Sequence, residues 1–415
     1  MELATHDISA DVIAARPGNV PADRVIDFDI YRPLDEGADL HDLWQTLLDN
    51  ALYPLMWTPH NGGHWIALRS DLADLVMSDS DRFSSRIVLV PKETAGEAYK
   101  LIPLSLDPPD HRPFRKLLND NLSPKALRGT EQRITDLTVE LIEGFRPSGR
   151  CDFVRDFAEQ LPVRIFMQVV GLPVVDLPKL KHLADQYTRP DGSLSYPEVK
   201  QLFTDYLSPV IAERRGGVAI DLISKLINGN VEGRELSDQE AIDTCIQVLV
   251  GGLDTVVNAM SFAMAYLAQD HVLRDDLAAH PERIDDAVWE FLRRFPLVSS
   301  SREVRHGLEF EGVHLKPGDM VMAPTAAAAL DRSIDDQPMT VDFARRQGRH
   351  SVFGKGTHTC PGAYIARIEL KIMLEQWLAR IPDFHLASGS RIEHTNGIVG
   401  TVKPFTLQWT PRPGA

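Results

Sequence analysis

Cysteine is scarce in this chain of 415 residues, which has only 3. Cys151 and Cys245 stand far from Cys360 and have no partner at zinc-finger spacing, so a structural zinc or iron–sulfur site lacks ligands. Three scattered cysteines make no disulfide framework and fit a reducing cytosol. Positive charge is in deficit, with a net charge of -15, which argues against nucleic acid or an anionic membrane as the main partner. There is no Pro/Gly/Ser-rich linker, low-complexity tract or internal repeat to divide the chain, so one domain spanning 1–415 is expected. The first residues lack a basic stretch followed by an apolar one, so neither a signal peptide nor a membrane anchor is expected. The longest apolar run, Cys245 to Ala268, is interrupted by Gln247, Asp254, Asn258 and two glycines and reads as a buried core helix rather than a span.

Against these absences, Phe353 to Gly362 is a glycine-rich loop with one cysteine, followed by apolar residues at helical spacing from Pro361 onward. Proline at the first helical position is a start signal, which makes Cys360 the expected cap residue. A sulfur at the positive end of a helix dipole, among N–H groups without helical partners, is favoured as thiolate. An anionic sulfur is a nucleophile or a metal ligand, and nothing local fixes the base that a nucleophile would need. A haem iron needs a single protein ligand on one side and leaves the other face open, so one cysteine suffices.

Phe353, Gly356, His358, Cys360 and Gly362 fill the Phe-x-x-Gly-x-(His/Arg)-x-Cys-x-Gly pattern of the cytochrome P450 family, which the chain resembles over nearly its whole length. The resemblance implies a mainly α fold with small β-sheets, a haem b between a long central helix and the cysteine loop, and a monomeric, cytoplasmic monooxygenase. It implies Cys360 as axial ligand, and His111, Arg115, Arg302, His358, Gly251 and Phe353 as cofactor-binding residues. His111 and Arg115 stand four apart on one helix face, a spacing that can clamp a carboxylate. Glu290 and Arg293 match the family's Glu-x-x-Arg pair, with Arg345 as a third member in a structural role.

The stretch from about Asp238 to Ala268 reads as one long helix. Gln247, Val250, Gly251, Asp254 and Thr255 fall on one face of it. Glycines inside an apolar helix cost stability, and a ligand approaching closely is one reason for them. Gly251-Gly252-Leu253-Asp254-Thr255 is similar to the family's acid–alcohol string, which implies Asp254 and Thr255 as the catalytic pair that delivers protons to bound oxygen. The half of the chain from 130 to 240 reads as scaffold and lid, with Tyr187 to Tyr196 as a mobile cover.

Within the family, the segments around Tyr99, Asp107, Gly251, Asp342 and Ile398 resemble bacterial camphor-hydroxylating members. That resemblance implies Tyr99 as a hydrogen-bond donor to a substrate ketone, with Leu89, Leu104, Gln247, Val250, Val298, Ile398 and Val399 as further substrate-binding residues. Leu104 stands for a threonine, Leu89 for a phenylalanine and Gln247 for a leucine of those members, so a small apolar terpenoid or norisoprenoid, camphor-like or ionone-like, is expected. Pro361 has no N–H where those members carry a leucine amide, which removes one possible hydrogen bond to the sulfur. No flavin or nicotinamide fingerprint is present, so electrons must come from outside. A basic patch of Arg112, Arg115, Lys116 and Lys355 suits a [2Fe–2S] ferredoxin reduced by an NADH-dependent ferredoxin reductase. A peroxide-driven hydroxylase and a non-enzymatic haem sensor are the competing readings, and the first would usually lack the acid–alcohol pair.

Overall fold

The computed structural model describes residues 12–92, 100–218, 221–345 and 350–411. Chain order begins with α1 (Leu40–Asn50), whose N-terminal N–H groups at His41 and Asp42 are taken by the Asp39 carboxylate. The hairpin β1 (Leu55–Thr58) and β2 (His64–Ala67), then α2 (Ser70–Ser78) and β3 (Phe83–Ser84), follow. The helices α3 (His111–Leu122) and α4 (Thr130–Phe145), strand β4 (Arg150–Asp152), and α5 (Leu161–Val170), α6 (Leu177–Thr188), α7 (Tyr196–Arg214) and α8 (Leu222–Ile227) come next. A short hairpin, β5 (Asn230–Val231) and β6 (Arg234–Glu235), leads into α9 (Asp238–Gly252). The start of α9 is fixed by a reciprocal cap: the Glu240 N–H donates to Ser237 Oγ at 3.2 Å and the Ser237 N–H to Glu240 Oε2 at 2.8 Å.

The expected single helix from Asp238 to Ala268 is two helices, because Asp254 leaves helical geometry between α9 and α10 (Thr255–Leu267). Asp254 has φ -133° and ψ -45°, and the Thr255 hydroxyl donates to the Gly251 carbonyl at 3.4 Å. The combined stretch Asp238–Leu267 is apolar and long enough, by length and composition, to cross a bilayer. In the fold, 72% of its most apolar window is buried.

Beyond it lie α11 (His271–Ala279), α12 (Ile284–Arg294), β7 (Ser299–Val304), the hairpin β8 (Leu308–Phe310) and β9 (Val313–Leu315), β10 (Met320–Pro324) and α13 (Thr325–Ala329). After the cysteine loop come α14 (Ala363–Arg380), β11 (His385–Leu386), the hairpin β12 (His394–Thr395) and β13 (Thr401–Val402), and β14 (Thr406–Gln408). The largest sheet has five strands in the order β1-β2-β10-β7-β3, and smaller sheets join β11-β14-β4 and β12-β13.

The principal core gathers residues from α5, α9, α10, α12 and α14, with Phe262, Phe291 and Trp377 wholly buried. Each such ring contributes about 1.5–3 kcal/mol of burial. Tyr187 and Tyr196, expected to bound a mobile cover, are themselves buried core residues with ring centroids 5.8 Å apart. Only the connection between them, after α6 and before α7, is left to run over the surface.

Candidate functional site

The cysteine loop is built by backbone chemistry. The Cys360 N–H donates to the Phe353 carbonyl at 2.7 Å, and the Gly354 N–H to the Ser351 carbonyl at 2.8 Å, which closes the loop on itself. Gly354 and Gly356 have φ of +77° and +69°, and a Cβ at Gly356 would lie 2.7 Å from Ser78 Cα, so this loop needs glycine to sit against α2. The helix begins later than expected. Its cap is Gly362, and Pro361 lies in the preceding turn rather than at the first helical position. Cys360 is therefore not the cap. Its Sγ instead accepts the Gly362 and Ala363 N–H groups.

The expected net preference for thiolate is also corrected. Burial raises the Cys360 pKa by more than the two N–H groups and the Arg115 charge lower it, so the free sulfur holds its proton. Yet the residue has accessible surface. A coordinated metal ion would remove that proton outright. Cys245, by contrast, is wholly buried with its thiol pushed up to about 12.

Four cation-capable side chains converge beside the loop. His111 is 1% exposed, neither of its ring nitrogens has a hydrogen-bond partner among the described residues, and it packs on His358 with ring centroids 4.3 Å apart. His358 Nε2 is also buried without a partner. Arg302 is buried, and among the described residues its guanidinium donates to neutral groups, Ser300 Oγ and the Ser301 carbonyl, both at 2.8 Å. Arg115 donates to the Thr359 carbonyl beside the cysteine and to Asn119 Oδ1 at 2.8 Å. Burial and then the neighbouring cations hold His111 at about 4 and His358 at about 3; burial lowers Arg302 to about 10. Such a cluster without a bound anion is a cost in the free protein. The two carboxylates of haem b are ligands of the matching charge and donor requirement, so the residues present fit that cofactor.

On the other side, the two glycines of α9 separate in role. A Cβ at Gly252 would lie 2.3 Å from the Phe166 ring of α5, so this glycine serves helix packing. At Gly251, the Gln247 amide nitrogen at 3.7 Å is all that a Cβ would meet, so Gly251 alone opens a gap.

Asp254 is 3% exposed and is gripped by Arg189, whose Nη1 and Nη2 donate to its two oxygens at 2.7 and 2.8 Å. The Asn258 amide adds a hydrogen bond at 3.1 Å. Burial raises the Asp254 pKa, but the Arg189 charge and these hydrogen bonds outweigh it and leave the net value lowered. Arg189 also donates to Asp185, which pairs with Lys181 at 2.9 Å. Arg189 went unnoticed in the sequence. The signal available was the need of a buried Asp254 for a cation.

Val298 and Val399 are paired across an isolated bridge, and Ile398 accepts the Ser299 N–H at 2.8 Å, which brings these three wall residues together. Leu89 is buried in the same core, Val250 likewise, and Leu104 packs against it. Tyr99 lies outside the described residues. Glu290 accepts from Arg293 twice, at 2.8 Å each, and from Arg345 at 3.1 Å, while Arg293 also donates to the Ala329, Pro338 and Thr340 carbonyls. The basic patch is partly engaged internally, since Lys355 pairs with Asp74 at 3.1 Å and the Arg115 guanidinium is turned toward the loop.

The chain belongs to the cytochrome P450 family and is a cytochrome P450 monooxygenase, whose cofactor is haem b. The family model "Cytochrome P450" matches residues 274–408. Probable cytochrome P450 127A1 of Sinorhizobium fredii is 32% identical over 361 residues, 86% of this chain and 87% of that one. A steroid C26-monooxygenase of Mycolicibacterium smegmatis is 30% identical over 70% of this chain and 74% of its own. Among solved structures, CYP101J2 is 60% identical, with a TM-score of 0.89 over 96% of this chain and 100% of that chain. CYP101C1 is 34% identical, with a TM-score of 0.86 over 95% and 100%.

Proposed function

We propose that this monooxygenase, acting as one domain over 1–415, hydroxylates a small terpenoid or norisoprenoid ketone with dioxygen and two electrons. The electrons come from a [2Fe–2S] ferredoxin and its NADH-dependent reductase. The observation that carries the reading is the cysteine sulfur held by two N–H groups beside a cluster of buried His111 and Arg302 and half-buried His358 and Arg115. In this reading Cys360 ligates the haem iron, Arg302 and Arg115 take the propionates by charge with His111 and His358 as hydrogen-bond donors, and Phe353 covers the sulfur side. Bound haem supplies the metal centre at which dioxygen is activated.

The chain's own residues supply the rest. Gly251 leaves the gap, and the Thr255 hydroxyl, bonded weakly to the Gly251 carbonyl at 3.4 Å, is free to turn toward that gap and hold water there. Asp254 rests as a carboxylate clamped by Arg189, so it carries a proton inward only after the clamp loosens. Leu89, Leu104, Val250, Val298, Ile398 and Val399 form the substrate wall, and Glu290, Arg293 and Arg345 keep the cysteine side rigid. Arg112 and Lys116, the latter paired with Asp120, are the exposed cations on α3 around which an acidic ferredoxin docks. The enzyme works in the cytoplasm as a monomer.

The test is turnover with purified ferredoxin, reductase and NADH, following hydroxylated product from camphor and from ionones. Product that depends on the ferredoxin supports the proposal. Product formed with peroxide alone, and none through the ferredoxin, contradicts it.

A further inference from the structure

Gln247 carries a polar group that the fold leaves without a use. Its Oε1 is inaccessible and has no hydrogen-bond partner among the described residues. Its Nε2 lies 3.7 Å from where a Cβ on Gly251 would stand, and apart from the helix's own backbone and the flanking residues no other atom of the described residues lies within 4 Å of that point. The carboxamide therefore borders the gap over Gly251, one helical turn back along α9 and on the face that leads to Thr255. Its neighbours Val248, Leu249 and Val250 are buried and apolar. A buried amide oxygen left unpaired is a net cost, and native structures rarely keep one without a ligand or functional reason.

We propose that Gln247 is a specificity-determining residue that hydrogen-bonds a single oxygen function on an otherwise hydrocarbon substrate and holds that oxygen against α9 beside Gly251. The inference rests on the monooxygenase reading above and deepens its substrate class. A carbonyl or ether oxygen accepts from the amide N–H. A hydroxyl can also donate to the amide oxygen, so an alcohol meets either end of the group. A hydrocarbon of the same skeleton meets neither and leaves the amide unpaired when it displaces water from the cleft. The oxygen also acts as an orienting pin, since an apolar wall alone does not fix which carbon faces the metal centre.

The experiment uses the haem-loaded enzyme and five probes: bornane, camphor and borneol on one skeleton, and α-ionone and α-ionol on another. Binding is read from the substrate-induced shift of the haem absorption band, and product positions are read after turnover with ferredoxin and reductase. Wild type should bind the oxygenated probes at least ~10-fold more tightly than bornane. Gln247→Leu should bring that ratio to within ~2-fold, tightening bornane, weakening camphor and scattering the oxidised positions. Gln247→Glu, which keeps an acceptor and loses the donors, should retain the alcohols better than the ketones. An unchanged ratio in a Gln247→Leu enzyme with a normal haem spectrum overturns the assignment, as does bornane binding as tightly as camphor in wild type. Turnover with an unchanged ratio rejects Gln247 alone. Binding of none of the five rejects the substrate class, and with it the assignment.

Discussion

At the scale of single residues, Arg189 decides the resting state of Asp254. The acid is almost wholly buried, and without its bidentate partner it would be an unpaired charge in the core. Arg189→Ala should therefore destabilise the fold by up to about 3 kcal/mol, a figure at the low end for a broken buried pair because the Arg189 side chain is 21% exposed. Chemical denaturation of the two proteins measures it.

The sign of the pH dependence follows from the lowered Asp254 pKa. The pair's contribution is fully present above the ordinary carboxylate range and is lost as pH falls through the depressed value. The stability gap between wild type and Asp254→Asn should therefore narrow on acidification. Thr255→Ala removes the hydroxyl beside the gap. Haem and substrate binding should persist while reducing equivalents are diverted to peroxide, and NADH consumed per product formed reports it. Full coupling in that variant would sink the role given to Thr255.

At the scale of elements, α9 and α14 show what was legible in the sequence. The period of Gln247, Val250, Gly251, Asp254 and Thr255 was enough to place one helix face. Two local facts were not legible. The helix breaks at Leu253–Asp254 because Asp254 is drawn to Arg189 on another element, a long-range contact that helical periodicity does not carry. Gly251 and Gly252 look alike in sequence, but Phe166 lies against only one of them. Gly252→Ala should cost about 1–3 kcal/mol through overpacking, whereas Gly251→Ala should leave stability nearly unchanged and alter ligand binding. Thermal unfolding and ligand titration separate the two.

In the cysteine loop, proline at the expected first helical position misled by two residues. The start of α14 is set by the sulfur taking the Gly362 and Ala363 N–H groups, so the cap falls to Gly362. Because Pro361 offers no N–H, Pro361→Leu should add a donor near the sulfur and raise the reduction potential of the haem-loaded protein. An unchanged potential counts against this account of the loop.

At the scale of the molecule, Glu290, Arg293 and Arg345 tie α12 to the carbonyls at Ala329, Pro338 and Thr340. The ion pair at Glu290 and Arg293 is about as buried as Asp254, at 5% and 7% side-chain exposure, and it is anchored by backbone acceptors that a simple surface pair lacks. The fold class was legible because the motif around Cys360 is specific. Which donors gather beside it was not, since the burial of His111 and Arg302 and the stacking of His111 on His358 emerge only from packing. The measurement that tests the whole most directly is the carbon monoxide difference spectrum of the reduced, haem-loaded protein, taken for wild type and for Cys360→Ser. Wild type should give the strongly red-shifted band of a thiolate-ligated haem, and Cys360→Ser should lose it. A wild-type spectrum without that band, or one that Cys360→Ser leaves unaltered, would contradict Cys360 as the ligand around which the site is built.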